Sequence, residues 1–387
     1  MATTAIFRRL ARPCRGRAAS TAVRPRAAVF FPGQGSQAPG MLAPWAAAHP
    51  QATRDVVDAI SRALDDAALV RLLTDGGADA DMQRTSNAQP AILATSVLIA
   101  RVLAQEHGVA VARSHFDYVL GHSLGEITGF VAAGVLTLED GLRVVRRRGQ
   151  AMEAAVAAWY AGRGLAAPAA GAAPPHELGM AALVVPRDRL EPVMTAISRF
   201  QQAEFLAMLP APTAPPVDRV VELANINSSA QVVLSGTRAG IAHLAGELGL
   251  RAVRLNVAAP FHSSVLLPAA QDLFDVVAVS GPDAVPFAEY APAATGVQIV
   301  SNTTARPFAS TADIRQSIVD GCTLPVNWYG SIRHLVDACG VTRFLAIGPG
   351  RATATLVARE VGAAADVVFA ADPAGLAAAA AALRVAS

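Results

Sequence analysis

The stretch YVLGHSLGE, Tyr118–Glu126, decides the fold class of this 387-residue chain. Its apolar start predicts a buried strand, and the following run Ser123–Ala133 has the pattern of a helix. Gly121 and Gly125 allow the tight strand-to-helix turn that lifts the hydroxyl of Ser123 out of a sheet, and the helix N-terminus directs partial positive charge toward it. Because Ala and Gly are abundant in this chain, the G-x-S-x-G pattern alone leaves a structural serine equally open.

Strands and helices alternate on both sides of this turn, which is typical of an α/β core with parallel strands. The strand Ala27–Phe31 enters the Gly-rich turn Pro32–Gly35. The further elements of this core that the patterns predict are helices at 51–72, 88–106, 138–157, 264–277, 311–320 and 326–339, and strands at 298–301 and 343–347. We assign residues 27–178 and 258–387 to the core.

A second, smaller unit is predicted inside the first, over residues 179–257. Four strands (180–185, 220–226, 231–235 and 251–257) alternate with two helices (188–201 and 238–248), which is the split β-α-β arrangement of a ferredoxin-like subdomain. Residues 157–178 are mostly Ala, Gly and Pro, so we expect a flexible surface insertion there. A shorter Pro-rich stretch lies at 209–217.

The charged residues exclude several classes of function. All 32 basic side chains are Arg, which removes any mechanism that needs a Schiff-base Lys, a Lys general base or a phosphate-binding GKS or GKT loop. A net charge of +2 with 16% charged residues argues against a nucleic-acid binder. The apolar run Ala91–Ala100 is cut by Arg101 and is too short for a membrane span, so we expect no membrane insertion.

The N-terminus differs in charge from the rest of the chain. Residues 1–26 carry seven Arg and no acidic residue, and the remainder has 25 Arg and 30 acidic residues, a net −5. On a helical wheel Ile6 and Leu10 lie opposite Arg8 and Arg12. This basic, amphipathic start is typical of an organellar transit peptide, and we expect the mitochondrial matrix, with a plastid less favoured. A disordered basic arm is the alternative.

A nucleophilic serine needs a base, and two histidines are the candidates. His122 is next to Ser123 on the strand end and should point away from the hydroxyl, which favours a structural hydrogen bond. His262 follows the bend at Pro260 and precedes a helix, so it could reach a cleft, although this pattern alone favours a partly exposed loop histidine. Cys322 and Cys339 are 17 residues apart and lack the paired spacing of a metal site, so no metal is predicted.

Six separated motifs resemble, in order, those of the malonyl-CoA:acyl-carrier-protein transacylase family. They are FPGQGSQ (31–37), GHSLGE (121–126), Arg148-Gly149 with Met152, ANINS (224–228) with QVVLSG (231–236), PFHS (260–263) and IGPG (347–350). The resemblance covers about residues 27–360 and is greatest to the mitochondrial, fungal-type branch. It implies an α/β-hydrolase-like core with an inserted ferredoxin-like subdomain, which agrees with the organisation predicted above.

The resemblance also implies the roles of individual residues. Ser123 would be the nucleophile and His262 its general base, with the backbone N–H groups of Gln34 and Leu124 as the oxyanion hole. Arg148 would pair with the free carboxylate of malonate. The substrate would be malonyl-CoA, the acceptor the phosphopantetheine thiol of acyl carrier protein, the kinetics ping-pong and the cofactor none.

Further implications of the resemblance concern substrate choice and the orientation of the base. Phe261, before His262, is the residue found in malonyl-selective members and is expected to bind substrate. The family often has a Gln four residues before the Pro of its P-V-x-W segment, whose carbonyl orients the histidine. Here that position, counted back from Pro325, is Gly321, and its carbonyl is the candidate.

Three further arginines precede Arg148 on the same predicted helix. On a helical wheel Arg143, Arg146 and Arg147 share one face, and Arg148 points elsewhere. An acidic carrier protein needs a local basic face on an enzyme of net negative charge, so these three are the candidate docking face. The helical wheel alone favours a solvated helix face.

Two other functions compete with transacylation. A serine hydrolase or thioesterase could use the same strand-turn-helix, but Arg148 and the lack of an assignable acid in the Ser-Asp-His chain order weaken this hypothesis. A non-catalytic binding protein could keep the fold, but Ser123, His262 and Arg148 are all present.

Overall fold

The computed structural model describes residues 25–168, 174, 176–208, 220–257, 259–292 and 296–384. Nearly all of the predicted transit peptide, the Pro-rich stretch 209–217 and residues 169–173 of the predicted insertion lie outside the described residues. The strands are β1 (Arg26–Phe31), β2 (Tyr118–Gly121), β3 (Leu178–Val184), β4 (Val221–Ser228), β5 (Gln231–Thr237), β6 (Ala252–Arg254), β7 (Gln298–Ile299), β8 (Val341–Ile347) and β9 (Asp366–Ala370).

The helices lie between these strands in an order typical of an α/β fold. They are α1 (Ala43–Ala48), α2 (Pro50–Leu64), α3 (Ala67–Thr74), α4 (Asp79–Gln83), α5 (Thr85–His107), α6 (Leu124–Ala132), α7 (Leu138–Ala161), α8 (Leu190–Met208), α9 (Arg238–Leu248), α10 (Leu267–Val276), α11 (Thr311–Asp320), α12 (Trp328–Arg333), α13 (Ala352–Val361) and α14 (Pro373–Arg384). Short 3-10 turns at Arg187–Arg189 and Ser264–Leu266 precede α8 and α10.

A five-stranded parallel sheet forms the centre of the larger unit, in the order β7-β2-β1-β8-β9. Its central strands are apolar on both faces, as expected for a sheet covered by helices on both sides. Phe31, Val119 and Leu345 face one core cluster, and Phe30 and Phe344 face the other. Because all strands run the same way, their carboxyl ends meet at one edge, where the turn that carries Ser123 lies.

Helices α5 and α7 cross closely on one face of this sheet. A Cβ on Gly149 of α7 would lie 2.6 Å from the Cα of Ser86 on α5, so only glycine allows this approach. Helix α5 is long and apolar enough to span a membrane, but 83% of its apolar window is buried inside the fold. It is therefore a core helix, as its position under the sheet indicates.

The smaller unit is a four-stranded antiparallel sheet in the order β4-β5-β3-β6, with α8 and α9 packed on one face. The chain order β-α-β-β-α-β and this strand order are those of a ferredoxin-like fold. Two backbone hydrogen bonds join it to the larger unit: Val326 N–H donates to the carbonyl of Ala224 at 2.9 Å, and Ile226 N–H donates to that of Val326 at 2.9 Å.

The fold class is confirmed, and the differences from prediction lie at boundaries. Helices α9 and α11 have the predicted bounds. The predicted helix 51–72 is two helices, because Asp65 adopts a left-handed conformation with φ of 47° that ends α2. The expected insertion at 157–178 begins later than predicted, since α7 continues to Ala161.

Other differences have equally local causes. The predicted helix 326–339 is instead α12 followed by a π-helical turn at His334–Ala338. The strands predicted at 251–257 and 298–301 shorten to three and two residues, β6 and β7, and each of them pairs with one neighbour at a sheet edge. The patterns assigned nothing to the chain after 347, where β9 and two helices complete the larger unit.

Candidate active site

The turn between β2 and α6 holds Ser123 in a strained conformation, with φ of 53° and ψ of −112°. Such backbone angles are uncommon for any residue except glycine and persist only where the surroundings enforce them. Here the glycines on either side do so. A Cβ on Gly121 would lie 1.9 Å from the carbonyl carbon of Gly125, and one on Gly125 would lie 2.2 Å from the carbonyl oxygen of Phe31.

The structure brings His262 to this serine from 139 residues away. Ser123 Oγ and His262 Nε2 are 2.8 Å apart, and His262 Nδ1 lies 3.0 Å from the carbonyl oxygen of Leu324. A carbonyl can only accept, so Nδ1 must carry the ring proton and Nε2 must be the acceptor. The Ser123 hydroxyl therefore donates to Nε2, which is the arrangement that a serine nucleophile and its general base require.

The surroundings of His262 keep its imidazole neutral. The side chain is 2% exposed. Burial, with smaller contributions from the charge of Arg148 and from His122, lowers the pKa of His262 from 6.5 to about 3. The ring is therefore in its base form throughout the physiological range of pH.

Arg148 is a cation buried next to this pair. It is 3% exposed, and its Nη1 donates to Gln89 Oε1 at 3.1 Å while its Nη2 donates to the carbonyl of Gly321 at 2.9 Å. Burial lowers the pKa of Arg148, although Cys322 and Glu126 oppose this. A guanidinium that is held by neutral acceptors and remains charged is suited to bind an anionic ligand.

Ser123, His262 and Arg148 line one cleft. The other lining residues are Glu126, Ile127, Asn302, Thr303, Ser317, Ile318, Gly321, Leu324 and Val326. The cleft thus offers a nucleophile, a neutral base and a fixed positive charge within a small volume. This combination suits an acyl group with a carboxylate of its own.

Two residues that sequence reasoning left without a role support the serine turn. Asn302 accepts the Ser123 N–H on its side-chain Oδ1 at 3.1 Å, and its own N–H donates to Glu126 Oε1 at 2.7 Å. Glu126 is buried, and this burial raises its pKa from 4.5 to about 7. Glu126 is part of the GHSLGE motif, so the sequence places it next to the serine turn. Nothing in the sequence indicates that Asn302, which follows β7, contacts this turn.

His122 has the structural position that its place in the motif predicts. Its Nε2 is 2.9 Å from Asn227 Oδ1 on β4, and its ring lies edge-on to that of Trp328. Burial lowers the pKa of His122, with hydrogen bonds to Asn227 and to its own backbone opposing this. His122 therefore links the serine turn to the ferredoxin-like subdomain.

The assignment of Gly321 as the residue that orients His262 is wrong. The carbonyl that accepts from His262 Nδ1 is that of Leu324, three residues later, and the Gly321 carbonyl accepts from Arg148 instead. The physical reason is the turn after α11. Both Thr323 and Leu324 N–H groups bond back to Asp320 O, which directs the Leu324 carbonyl toward the imidazole and leaves that of Gly321 facing Arg148.

The remaining predicted site residues lie close to the cleft, and their roles stay predictions. Leu124 is the first residue of α6, so its N–H has no acceptor within the helix. Gln34 lies in the turn after β1, and its side-chain Oε1 accepts a hydrogen bond from Gln89 Nε2 at 3.1 Å. The same turn packs on His122. Phe261 is buried in the core of the larger unit and is not among the cleft-lining residues that the structure describes.

Each of the three arginines before Arg148 is paired with an acidic residue, and their role as a docking face stays a prediction. Arg146 is mostly buried and pairs with Asp66 at 2.7 Å and with Asn87 at 2.8 Å. Arg143 pairs with Asp140 at 2.7 Å, and both ends of the Arg147 guanidinium bind Asp272 at 2.6 Å. Asp140 lies on α7 itself, but Asp66 precedes α3 and Asp272 lies on α10, so a helical wheel of α7 does not show these two acids.

Known proteins that are similar to this chain are acyl transferases. The family model for the acyl transferase domain matches residues 29–182. The chain is 33% identical over 335 residues to the malonyl CoA-acyl carrier protein transacylase of Bacillus subtilis, covering 85% of this chain and 89% of that protein. It is 31% identical over 339 residues to the protein of the same name from Escherichia coli, covering 86% and 92%.

Solved structures give the same result. The malonyl-CoA:acyl carrier protein transacylase of Xanthomonas oryzae superposes with a TM-score of 0.73 at 31% identity, covering 93% of this chain and 99% of that one. A malonyl-transacylase solved in complex with the acyl-carrier protein of a type II PKS superposes with a TM-score of 0.72 at 27% identity, covering 92% and 98%. Within the described residues, no group of three His, Cys, Asp or Glu could hold a metal ion.

The pKa of His262 gives a testable expectation. In NMR spectra of protein with labelled histidine, the His262 ring signals, assigned by their loss in His262→Gln, should stay those of a neutral ring from pH 8 down to pH 5. A ring that titrates near 6.5 would contradict the burial argument. Because an unfolded chain takes up this proton near pH 6.5 and the folded one only near 3, His262 should also lower the stability as the pH falls between these values.

Proposed function

This chain belongs to the malonyl-CoA:acyl carrier protein transacylase family, and on that premise we propose that it moves malonyl groups from malonyl-CoA to the phosphopantetheine thiol of an acyl carrier protein, for fatty-acid synthesis. The observation that carries the proposal is the 2.8 Å contact between Ser123 Oγ and His262 Nε2 in the cleft that also holds Arg148. The relatives' names supply the donor and the acceptor, and the site supplies the chemistry.

In the first half-reaction the serine becomes acylated. Ser123 Oγ attacks the thioester carbonyl of malonyl-CoA while its proton passes to His262 Nε2. The backbone N–H groups of Leu124 and Gln34 hold the negative charge that develops on the carbonyl oxygen. The carbon–sulfur bond then breaks, and the imidazolium returns the proton to the CoA thiolate. The products are a malonyl ester on Ser123 and free CoA.

In the second half-reaction the thiol of the carrier protein attacks that ester. His262, neutral again, takes the thiol proton and then delivers it to Ser123 Oγ as the ester bond breaks. Free CoA leaves before the carrier-protein thiol reacts, so the kinetics are ping-pong, and no cofactor takes part. In this proposal acyl carrier protein is the partner, and the exposed Arg143 and Arg147 stay the candidate docking residues.

Arg148 accounts for the choice of malonyl over acetyl groups. The carboxylate of a malonyl group in the cleft can accept two parallel hydrogen bonds from a guanidinium. An acetyl group would leave that buried cation without an anionic partner, a larger penalty than the loss of a methyl contact. Gln89 and the Gly321 carbonyl fix the guanidinium in advance, so little side-chain freedom is lost on binding.

The competing serine-hydrolase hypothesis has less support. Hydrolases with this type of serine turn orient their histidine with a carboxylate, whereas His262 Nδ1 here donates to the Leu324 carbonyl. Of the described acidic residues, Glu126 is the one that lines the cleft, and it binds the Asn302 N–H. The two hypotheses differ in product: free malonate for a hydrolase, malonyl carrier protein for a transacylase.

We further propose that the enzyme belongs to the mitochondrial, fungal-type branch and works in the mitochondrial matrix, to which residues 1–26 direct it. The support is their seven Arg and no acidic residue ahead of an enzyme of net −5. A fluorescent protein fused behind residues 1–26 should enter mitochondria, and replacing Arg8, Arg9 and Arg12 by Gln should abolish import. Cytosolic fluorescence of the unaltered fusion would overturn this, and plastid import would revise the compartment.

The nucleophile is tested by intact-mass measurement after the enzyme is mixed with malonyl-CoA. The wild-type protein should gain one malonyl group and should lose it when carrier protein is added, with malonyl carrier protein as the main product. Ser123→Ala should gain nothing. Ser331→Ala, which removes a buried hydroxyl outside the cleft, is the control and should load normally. An adduct on Ser123→Ala, or release chiefly as free malonate, would refute the assignment.

The role of Arg148 is tested by comparing substrates. Arg148→Ala should lower kcat/KM for malonyl-CoA by about 30-fold or more, because removing one partner of a buried charge pair typically costs about 2 to 5 kcal/mol. Use of acetyl-CoA should fall much less, so the malonyl-to-acetyl ratio should collapse. Arg147→Ala, on the next residue of the same helix, should leave the ratio unchanged. An unchanged ratio in Arg148→Ala would exclude the carboxylate contact.

A further inference from the structure

His262 is held in an unfavourable backbone conformation within a segment that has no regular structure. Its φ is 59°, in the left-handed region, and the residues from Pro260 to Ser263 belong to neither a helix nor a strand. A residue that is not glycine keeps such angles only if its neighbours in space enforce them. Contacts from outside the segment must therefore hold it so that His262 Nε2 stays within hydrogen-bond distance of Ser123 Oγ.

One contact comes from β5 of the ferredoxin-like subdomain. Ser235 is completely buried, and its hydroxyl donates a hydrogen bond to the carbonyl of Phe261. That carbonyl belongs to the peptide unit directly before His262, so its direction is coupled to the φ of His262. The hydrogen bond therefore fixes the N-terminal side of the base.

The second contact comes from the neighbouring strand β4. Glu222 Oε1 accepts the backbone N–H of Ser264 at 2.9 Å and also the Ser264 hydroxyl. These bonds fix the chain two residues after His262. Burial raises the pKa of Glu222, and its bonds from Ser264 oppose that rise. In the antiparallel register Glu222 stands directly opposite Ser235, so the two side chains are cross-strand neighbours.

The same subdomain also holds the acceptor that orients the imidazole. The Leu324 carbonyl, which accepts from His262 Nδ1, lies two residues before Val326. Val326 is bound on both sides by the backbone of β4, through Ala224 and Ile226, each at 2.9 Å. One small sheet thus contacts both the chain that carries the imidazole and the chain that carries its acceptor.

We propose that Ser235 and Glu222 are positioning residues for the general base, and that the inserted subdomain acts in the reaction by holding His262 against Ser123. Neither side chain touches the reacting atoms; each acts through the backbone on one side of His262. The proposal rests on the proposed function, since it assumes that His262 takes the serine proton. The hydrogen bonds from Ser235 and to Glu222 together form a clamp on the backbone around His262. Removing either of them should slow acyl transfer without weakening substrate binding.

The test is the single-turnover rate of malonyl loading on the full chain, measured by rapid quench with malonyl-CoA. Ser235→Ala should lower the maximal loading rate by about 10- to 100-fold, the scale expected when a catalytic group is displaced by a fraction of an ångström to one ångström. The concentration of malonyl-CoA that gives the half-maximal rate should stay within about threefold of wild type. Glu222→Ala should behave alike, and Glu222→Gln, which keeps an accepting oxygen, should restore most of the rate.

Thr237→Ala is the matched control for a merely structural effect. Thr237 lies on the same strand as Ser235 and is also completely buried, but its hydroxyl accepts the Gly240 N–H that begins α9. Its loss should lower the melting temperature and leave the loading rate near that of wild type. The pair Glu222→Ala and Glu222→Gln keeps the proposal testable if Ser235→Ala does not fold.

The outcomes separate this proposal from the proposed function. A wild-type protein that never gains a malonyl group would remove the proposed function itself. If the wild type loads, then loading rates within twofold of wild type in both Ser235→Ala and Glu222→Ala overturn the clamp. An equal loss in Thr237→Ala, a failure of Glu222→Gln to recover, or a loss seen only at low malonyl-CoA concentration overturns it as well.

Discussion

The hydrogen bond from Ser123 Oγ to His262 Nε2 is the interaction on which the rest of the site depends. It joins two residues 139 positions apart, and both have positive φ, at 53° and 59°. Neither conformation is favourable by itself, so the fold must enforce each of them. The parallel sheet does so for the serine through the glycines at 121 and 125. For the histidine, the antiparallel subdomain binds the backbone on both sides, at Phe261 and at Ser264.

Burial gives the remaining groups of the cleft their chemical character. It lowers the pKa of His262 to about 3 and so keeps a base available, and it raises that of Glu126 to about 7. Arg148 stays charged among neutral acceptors and near Glu126, so an entering carboxylate meets a cation that water does not screen. The cleft therefore presents a buried positive charge to an acyl group that carries a carboxylate of its own.

The inserted subdomain makes hydrogen bonds to several parts of the larger unit that form the site. The subdomain strands contact the serine turn through His122 and Asn227, the peptide unit before His262 through Ser235, and the chain after Leu324 through Val326. A unit that touches all three parts of the site can couple its own position to the reaction. The larger unit presents Ser123 and the Leu324 carbonyl to His262, whereas the Phe261 carbonyl and the Ser264 N–H on either side of His262 are bound by the subdomain.

The sequence by itself determined the fold class, the family resemblance, Ser123 and the candidates His262 and Arg148, because these depend on local patterns: a strand-turn-helix with small residues at fixed spacing, and motifs in fixed order. Only the tertiary structure decided which carbonyl orients the base, since the Leu324 and Gly321 carbonyls differ only in how one turn is folded. The same holds for Asn302, Ser235 and Glu222, and for the acids that pair with Arg146 and Arg147. Each contact joins elements distant in the chain, and periodicity carries no information about partners across such distances.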